Sequence, residues 1–296
     1  MRALNTYICL LGICLLFTAA RAHGEASLAW KLKPGESLHV AIEQKTDSQI
    51  AFSGKAAKTT IELTLVLGWN VLSADDSGFK IRQTVERIRQ KLSTQQAGTI
   101  EFDSASSSRQ TGPAADLATS LRPLVGVSFD LTMSPRGEIT VAEPSNEPAK
   151  ALLAALETAA AGDPAARGAV EQLLRRPLLV LPEKPVNQND TWSTTAERNT
   201  AAGPLKIDTT YELQSLSDQG GKQVASIAMS AKVAPSSGGG LKVTDSQHSG
   251  EIDFSLSDGR VIRIDQTQKL TTERPYRDTT IIVTLTSTQK TTMATR

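Results

Sequence analysis

A strict two-residue alternation over a long stretch is the feature that most constrains the fold of this chain. In "TIELTLVLGWNVL", apolar side chains occupy every second position from Ile61 to Val71, and Glu62, Thr64 and Asn70 occupy intervening positions. Successive side chains of a strand point to opposite faces, so the pattern predicts a long strand that is buried on one face only. The turn sequence "ADDSG" follows, after which the alternation resumes in a returning strand.

The same alternation recurs along most of the chain. Further strands are predicted around residues 38–42, 100–102, 127–133, 207–213, 225–233, 252–256, 262–264 and 281–285. One apolar face and one polar face are typical of an antiparallel sheet that is wetted on one side. The sequence therefore predicts a mainly β protein.

About three helices are predicted in the middle of the chain. The first, "GPAADLATSL", starts at Pro113 and is stopped by Pro123. The second, "SNEPAKALLAALETAAAG", is capped by Ser145 or Asn146, and the third, "DPAARGAVEQLLRRP", is capped by Asp163. These helices interrupt the strand pattern only in the middle of the chain.

A short hairpin pattern occurs twice. "FDLTMSPRGEITV" covers residues 129–141, and "FSLSDGRVIRI" covers residues 254–264. We therefore predict one α+β domain over 23–296, built of two similar meander halves, 23–145 and 182–296, joined by a helical segment, 146–181. The halves would form long, curved antiparallel sheets in a partial barrel or sandwich. Accidental similarity remains an alternative, because alternation and turn chemistry alone generate such matches.

The N-terminal residues 1–22 have the pattern of a secretory signal peptide. Arg2 is followed by the apolar run Tyr7–Phe17 and by a small-x-small cleavage sequence, Ala20–Ala22. An uncleaved anchor is the alternative interpretation. Both cysteines lie inside this segment, so the mature chain is predicted to contain none. We expect an exported bacterial protein, periplasmic or extracellular, with no membrane span after cleavage.

The charge pattern gives no indication of a polyanionic partner. The chain has 32 basic and 31 acidic residues, and it contains no basic run. This composition predicts no binding of nucleic acid and no electrostatic attraction to an anionic membrane surface.

No combination of residues in the sequence indicates catalysis. The three histidines, His23, His39 and His248, share no ligand-like spacing, so we expect no metal site and no cofactor. The S-x-x-K match at Ser77 and Lys80 falls in a predicted turn, where that motif lacks its structural context. We therefore expect a protein that is not an enzyme, with no assignable catalytic residue.

The three tryptophans allow two interpretations. Trp69 lies on the apolar face of its strand, Trp192 enters another strand, and Trp30 precedes the first strand. Packing in the core and lining of a ligand cavity produce the same sequence pattern, and both interpretations stay open here.

Several ordered blocks resemble an uncharacterised family of exported bacterial proteins, a domain of unknown function. These are "WKLKPGESL", "FDS" at Phe102–Ser104, "PLVGVSFDLTMSPRGEI" and "LPEKPVNQNDTW". The resemblance spans nearly the whole mature chain, and it implies no activity and no catalytic residues. A looser resemblance to lipoprotein-carrier folds implies a curved sheet with helices over an apolar cavity.

Two functional hypotheses follow. The first is a non-enzymatic envelope protein that binds an apolar or lipid-like ligand between sheet and helices. The second is a structural or interaction module of the envelope without a small-molecule ligand, which would bind other envelope proteins through strand edges such as "TTIIVTLTSTQKTT". An apolar void larger than about 300 Å³ would favour the first hypothesis, and a filled core would count against it.

Overall fold

One antiparallel sheet of twelve strands dominates the structure. The computed structural model describes residues 25–96, 98–108, 110–160, 178–200, 203–236 and 241–296. The strands are β1 (Ser37–Phe52), β2 (Lys55–Asp75), β3 (Gly78–Thr94), β4 (Gly98–Asp103), β5 (Ser128–Met133), β6 (Ile139–Pro144), β7 (Thr191–Thr200), β8 (Gly203–Gln219), β9 (Lys222–Pro235), β10 (Lys242–Ser255), β11 (Arg260–Tyr276) and β12 (Thr279–Thr295). The prediction of a mainly β protein is confirmed.

The strand order is β6-β5-β3-β2-β1-β12-β11-β10-β9-β8-β7, with β4 paired to β3 outside this path. Within the described residues the terminal strands β6 and β7 do not pair with each other, so the sheet is open. The predicted partial barrel or sandwich is thus one continuous sheet. The sheet is strongly curved, because residues of β7 and β8, at one end, line the same cavity as residues of β1, β2 and β3.

The described part of the chain contains two α-helices, α1 (Pro113–Leu121) and α2 (Glu147–Ala160), and one 3₁₀ turn, Arg122–Leu124. This is fewer than the three or so predicted, and the third predicted helix, over 163–176, lies outside the described residues. Asn146, rather than Ser145, caps α2: its side-chain oxygen accepts a 3.0 Å hydrogen bond from the Ala149 N–H. Helix α1 contacts β4, and α2 contacts β5 and β6.

The two β-rich halves follow the same order of pairing. In the first, β1 pairs β2, β2 pairs β3, β3 pairs β5 and β5 pairs β6; in the second, the corresponding series runs from β7 to β11. The repeated hairpins therefore hold equivalent places, β5–β6 and β10–β11, in one shared sheet. An origin of the two halves by duplication stays a prediction.

Strand β12 has no counterpart in the first half and lies near the centre of the sheet. It pairs with β1 from Leu38–Thr295 to Ala51–Ile282, and it pairs with β11 along its other side. The prediction that "TTIIVTLTSTQKTT" offers a free edge is therefore wrong. In the described residues, the free edges of the main path belong to β6 and β7.

The core lies on the inner face of the sheet, the face toward which the apolar positions of the alternation point. Fully buried members include Leu38, Val40, Ile81, Leu131, Leu213, Ile252 and Phe254. Each such side chain stabilises the fold by about 1.5–3 kcal/mol through removal of apolar surface from water.

In the portion that the structure describes, no helix combines the length and apolarity needed to cross a bilayer. The predicted signal segment 1–22 lies outside the described residues, and export stays a prediction.

Candidate functional site: an apolar cavity between the wings of the sheet

A cavity of about 160 Å³ lies between β7 and β8, at one end of the sheet, and β1, β2 and β3, which are nearer its middle. Strands β1, β2 and β3, here named the first wing, line one side, and strands β7 and β8, the second wing, line the other. Residues of β9, β11 and β12 between the wings also contribute to the wall. The cavity is therefore a product of sheet curvature, and its two sides are distant in sequence.

The alternation explains which side chains line this cavity. On the first wing it is lined by Val40 and Ile42 of β1 and by Leu63, Leu65 and Leu67 of β2, all from positions that share one face. On the second wing the lining side chains include Thr209 and Tyr211 of β8, again two residues apart. The intervening residues of these strands point to the outer, polar face.

Several polar groups of the cavity wall have hydrogen-bond partners within the wall or beside it. The amide of Gln44 donates to the hydroxyls of Thr46 and Ser287 at 2.9 and 3.2 Å. The amide of Gln289 donates to the Thr291 hydroxyl at 3.0 Å. Side chains with formal charge are missing from the described lining. Such a wall favours an uncharged, apolar ligand, because an unpaired buried charge would be costly.

The structure distinguishes among the three tryptophans. Trp69 is buried and lines the cavity, where its indole N–H donates to Gln83 at 2.8 Å. Trp192 lies on the same inner face beside the cavity: it stacks on Tyr211 with ring centroids 5.5 Å apart and donates to the Val180 carbonyl oxygen. Trp30 packs edge-on against Phe254 in the core. Trp69 alone among these three belongs to the cavity wall.

Two expectations about the cavity need correction. The ligand site was expected between sheet and helices, yet α1 and α2 pack near β4, β5 and β6, and neither contributes to the described lining. Leu178, which follows the segment outside the described residues, is the lining residue from the region that connects the halves. The volume is also about half of that expected for a lipid-sized site.

The titratable residues considered in the sequence do not come together. His39 lies on the outer face, with Nδ1 2.9 Å from Glu86, whereas His248 lies on the inner face beside Gln266. His23 lies outside the described residues. Ser77 occupies the β2–β3 turn, and its hydrogen bonds to Asp75 hold the pKa of that carboxyl below its usual range. Among the described residues no group of three potential metal ligands occurs.

A second, wider depression of about 860 Å³ crosses the outer face of the sheet. Its charged side chains occur at positions that alternate with the cavity-lining ones, and both signs are represented, as by Glu43, Lys45, Asp265 and Lys290. Mixed charge over a broad surface is typical of the solvated face of a sheet. The inner cavity is thus the more specific candidate.

The sequence analysis did not predict that the second wing, β7 and β8, faces the first wing across the cavity. The alternation indicates that Leu65 and Tyr211 each point to an inner face, but nothing in it indicates that those faces meet. One signal in the sequence could have predicted that these faces meet. The predicted helices are too few to cover the apolar surface of so many strands, so one part of the sheet must cover another.

Fold and site define a mainly β protein in which one open antiparallel sheet encloses a small apolar cavity. Residues 76–294 match the family described as "Family of unknown function (DUF6263)", and the chain belongs to that family. The resemblance to an uncharacterised family is thereby confirmed. No curated protein matches the sequence.

Two solved structures show the extent of structural similarity. Lipovitellin, from a structure titled "Lipid-protein interactions in lipovitellin", is similar with a TM-score of 0.51 and 11% identity. The match covers 89% of this chain and 25% of that one, so the chain spans a quarter of the lipovitellin chain. An outer membrane channel from Pseudomonas putida F1 matches with a TM-score of 0.25 and 10% identity, over 90% of this chain and 97% of that one. The lipovitellin match shows a likeness of fold.

Proposed function

We propose that this protein is a non-enzymatic envelope protein that binds the apolar end of a lipid-like ligand in the cavity between the two wings. The observation that carries the proposal is an uncharged and mainly apolar cavity wall where β7 and β8 face β1, β2 and β3. Further support is the fold shared with lipovitellin, a protein whose structure title names lipid–protein interactions. The envelope location rests on the predicted signal peptide.

The volume limits what the cavity can hold. An engineered apolar cavity of about 150 Å³ in another protein stays dry and binds benzene, so a cavity of this size accepts a small hydrocarbon group. A volume of about 160 Å³ therefore accommodates a short stretch of acyl chain and excludes a whole lipid. The polar part of the ligand would remain outside the apolar wall, near the amides of Gln44, Gln266 and Gln289.

Methyl-labelled NMR of the mature protein titrated with decanoic acid tests this proposal. We expect shifts at the methyl groups of Val40, Leu65 and Leu67, which line the cavity, and none at Leu72 and Ile262, which are exposed elsewhere. Shifts confined to the exposed methyl groups, or no shifts up to the solubility limit of the acid, would defeat the cavity as a ligand site.

A second candidate function is protein interaction through a strand edge. Strand β7, Thr191–Thr200, pairs only with β8 in the described structure, so one side of a ten-residue strand offers backbone donors and acceptors. An extended segment of another protein can add to such an edge. A segment bound in this way would protect the β7 amides from hydrogen exchange while leaving the cavity methyl groups unshifted.

A further inference from the structure

Two adjacent hairpins project from one end of the sheet. The pairing of β2 with β3 stops at Thr59, and that of β11 with β10 stops at Glu273, whereas the hairpins β1–β2 and β11–β12 continue beyond these points. Strands β1 and β12 pair with each other as far as Ala51 and Ile282, so the two projections stand side by side. We call residues 50–58 and 274–282 together the hairpin tip.

The hairpin tip exposes four large apolar side chains, of which Ile50, Phe52 and Tyr276 lie on one face of the sheet and Ile282 lies on the other. Ile50, Phe52, Tyr276 and Ile282 are each between 37% and 46% exposed, and they are four of the six large hydrophobic residues exposed in the described structure. The rings of Phe52 and Tyr276 meet edge to face, with centroids 5.8 Å apart. Apolar groups gathered at one projecting end, rather than scattered singly, indicate an interaction surface.

The same tip is strongly basic. Lys55, Lys58, Arg274 and Arg277 are exposed there, against the single acidic residue Asp278. The Arg277 guanidinium lies over the Tyr276 ring at 5.4 Å from its centroid. None of the four cations forms an ion pair with another described residue. The sequence shows no basic run because the two pairs of cations are more than 200 positions apart, and the fold assembles them.

We propose that the hairpin tip docks onto an anionic lipid surface. Tyrosine is enriched at the headgroup level of membranes, and each Lys or Arg near an anionic surface contributes about 1 kcal/mol. Lysine is depleted at protein–protein interfaces, so two lysines beside exposed aromatic rings favour a membrane over a protein partner. This docking revises the expectation drawn from net charge. It stands independently of the cavity, since no residue of the tip lines the cavity.

Flotation of the mature protein with vesicles tests this docking. The probes are vesicles of phosphatidylcholine alone and of phosphatidylcholine with phosphatidylglycerol in a two-to-one ratio, each at low and at high salt. We expect flotation with the anionic vesicles at low salt, with weaker binding at high salt because exposed charges are screened. Failure to float with the anionic vesicles at low salt would overturn the proposal.

Two pairs of variants isolate the tip. Lys55→Glu with Lys58→Glu should weaken binding about tenfold or more, whereas Lys33→Glu with Lys184→Glu, the same charge change elsewhere, should weaken it far less. Phe52→Ser with Tyr276→Ser should weaken binding, and Leu72→Ser with Ile262→Ser should not. Equal binding by tip and control variants would refute the assignment. A change in oligomeric state confined to the tip variants would also refute it, because it would make a second copy the partner of the tip.

Discussion

The indole N–H of Trp69 donates a 2.8 Å hydrogen bond to the side-chain oxygen of Gln83, directly across the β2–β3 pair. Both side chains are almost fully buried, at 2% and 6% exposure, and both line the cavity. Each partner therefore satisfies a polar group of the other that water cannot reach. A mainly apolar wall can therefore contain this indole nitrogen and this amide oxygen, because each is hydrogen-bonded to the other.

The Trp69–Gln83 pair should show strong energetic coupling. Replacing Gln83→Leu leaves the indole N–H buried without its acceptor and should lower the free energy of unfolding by about 1–3 kcal/mol. The double variant Trp69→Phe, Gln83→Leu should lose less than the sum of the two single variants, because neither polar group then remains. Urea unfolding of the four proteins checks this double-mutant cycle. Strict additivity would show that the bond does not contribute.

Filling the cavity should abolish ligand binding without unfolding the protein. Thr209 and Thr210 are neighbours on β8, and the first lines the cavity while the second is exposed. Thr209→Phe should therefore remove the decanoic-acid shifts of the cavity methyl groups, and Thr210→Phe should preserve them. Methyl NMR titration of both variants measures the effect. Equal loss in the two variants would place the ligand elsewhere.

Gly137 should be far less replaceable than Gly220, a turn glycine with open space around it. It has φ +96° in the β5–β6 turn, and an added Cβ would overlap the Leu179 carbonyl oxygen and the Trp30 indole nitrogen. Gly220 also has positive φ, +63°, but open space around it. Gly220→Ala should cost about 1–2 kcal/mol from backbone strain alone, whereas Gly137→Ala should cost about 1–3 kcal/mol more from overpacking. Thermal unfolding of the pair gives the difference, and equal losses would contradict the predicted overlap.

The ion pair that links β3 to β5 should contribute to acid sensitivity. Arg82 donates two hydrogen bonds to Asp130, at 2.8 and 2.9 Å, and these bonds hold the pKa of Asp130 below its ordinary value. Because the folded pKa is the lower one, the stabilisation is present above the unfolded pKa and is lost as pH falls through the folded pKa. Both side chains are partly exposed, so the contribution is at most about 1 kcal/mol.

Arg82→Gln isolates this contribution. The variant should unfold more easily at neutral pH and lose less of its remaining stability on acidification, while Lys184→Gln should follow the wild-type curve. Urea midpoints measured from neutral pH into the acid range provide the comparison. Parallel curves for Arg82→Gln and wild type would show that the pair does not contribute to the acid transition.

The sequence correctly predicts that the protein is mainly β and which side chains of a strand point inward, but it does not predict the order of the strands in the sheet. The alternation from Ile61 to Val71 correctly predicts which side chains of β2 point inward, because side-chain direction is a local property of a strand. Which strands become neighbours depends on contacts between residues far apart in the chain. Tyr211 lies across the cavity from β2, and no local pattern connects the two.

The threonine-rich β12 also shows that strand order cannot be predicted from local sequence. Its polar composition suggested an exposed edge, yet β12 is paired on both sides. The reason is that the inner face of the sheet is apolar along part of the strands and polar along another part. Around Gln289 and Thr291, the inner face carries amide and hydroxyl groups that form hydrogen bonds with each other. A central strand can therefore carry polar side chains on both of its faces in this region. Composition alone cannot distinguish such a strand from an edge.

In the described structure, β12 is the strand through which the two halves of the sheet are hydrogen-bonded to each other. Its neighbours β1 and β11 are both synthesised earlier, and without β12 each presents an open flank of more than a dozen residues to any other extended segment. Loss of β12 would therefore leave two separate sheets, β6 to β1 and β11 to β7, that share a common hydrophobic core but no strand pairing.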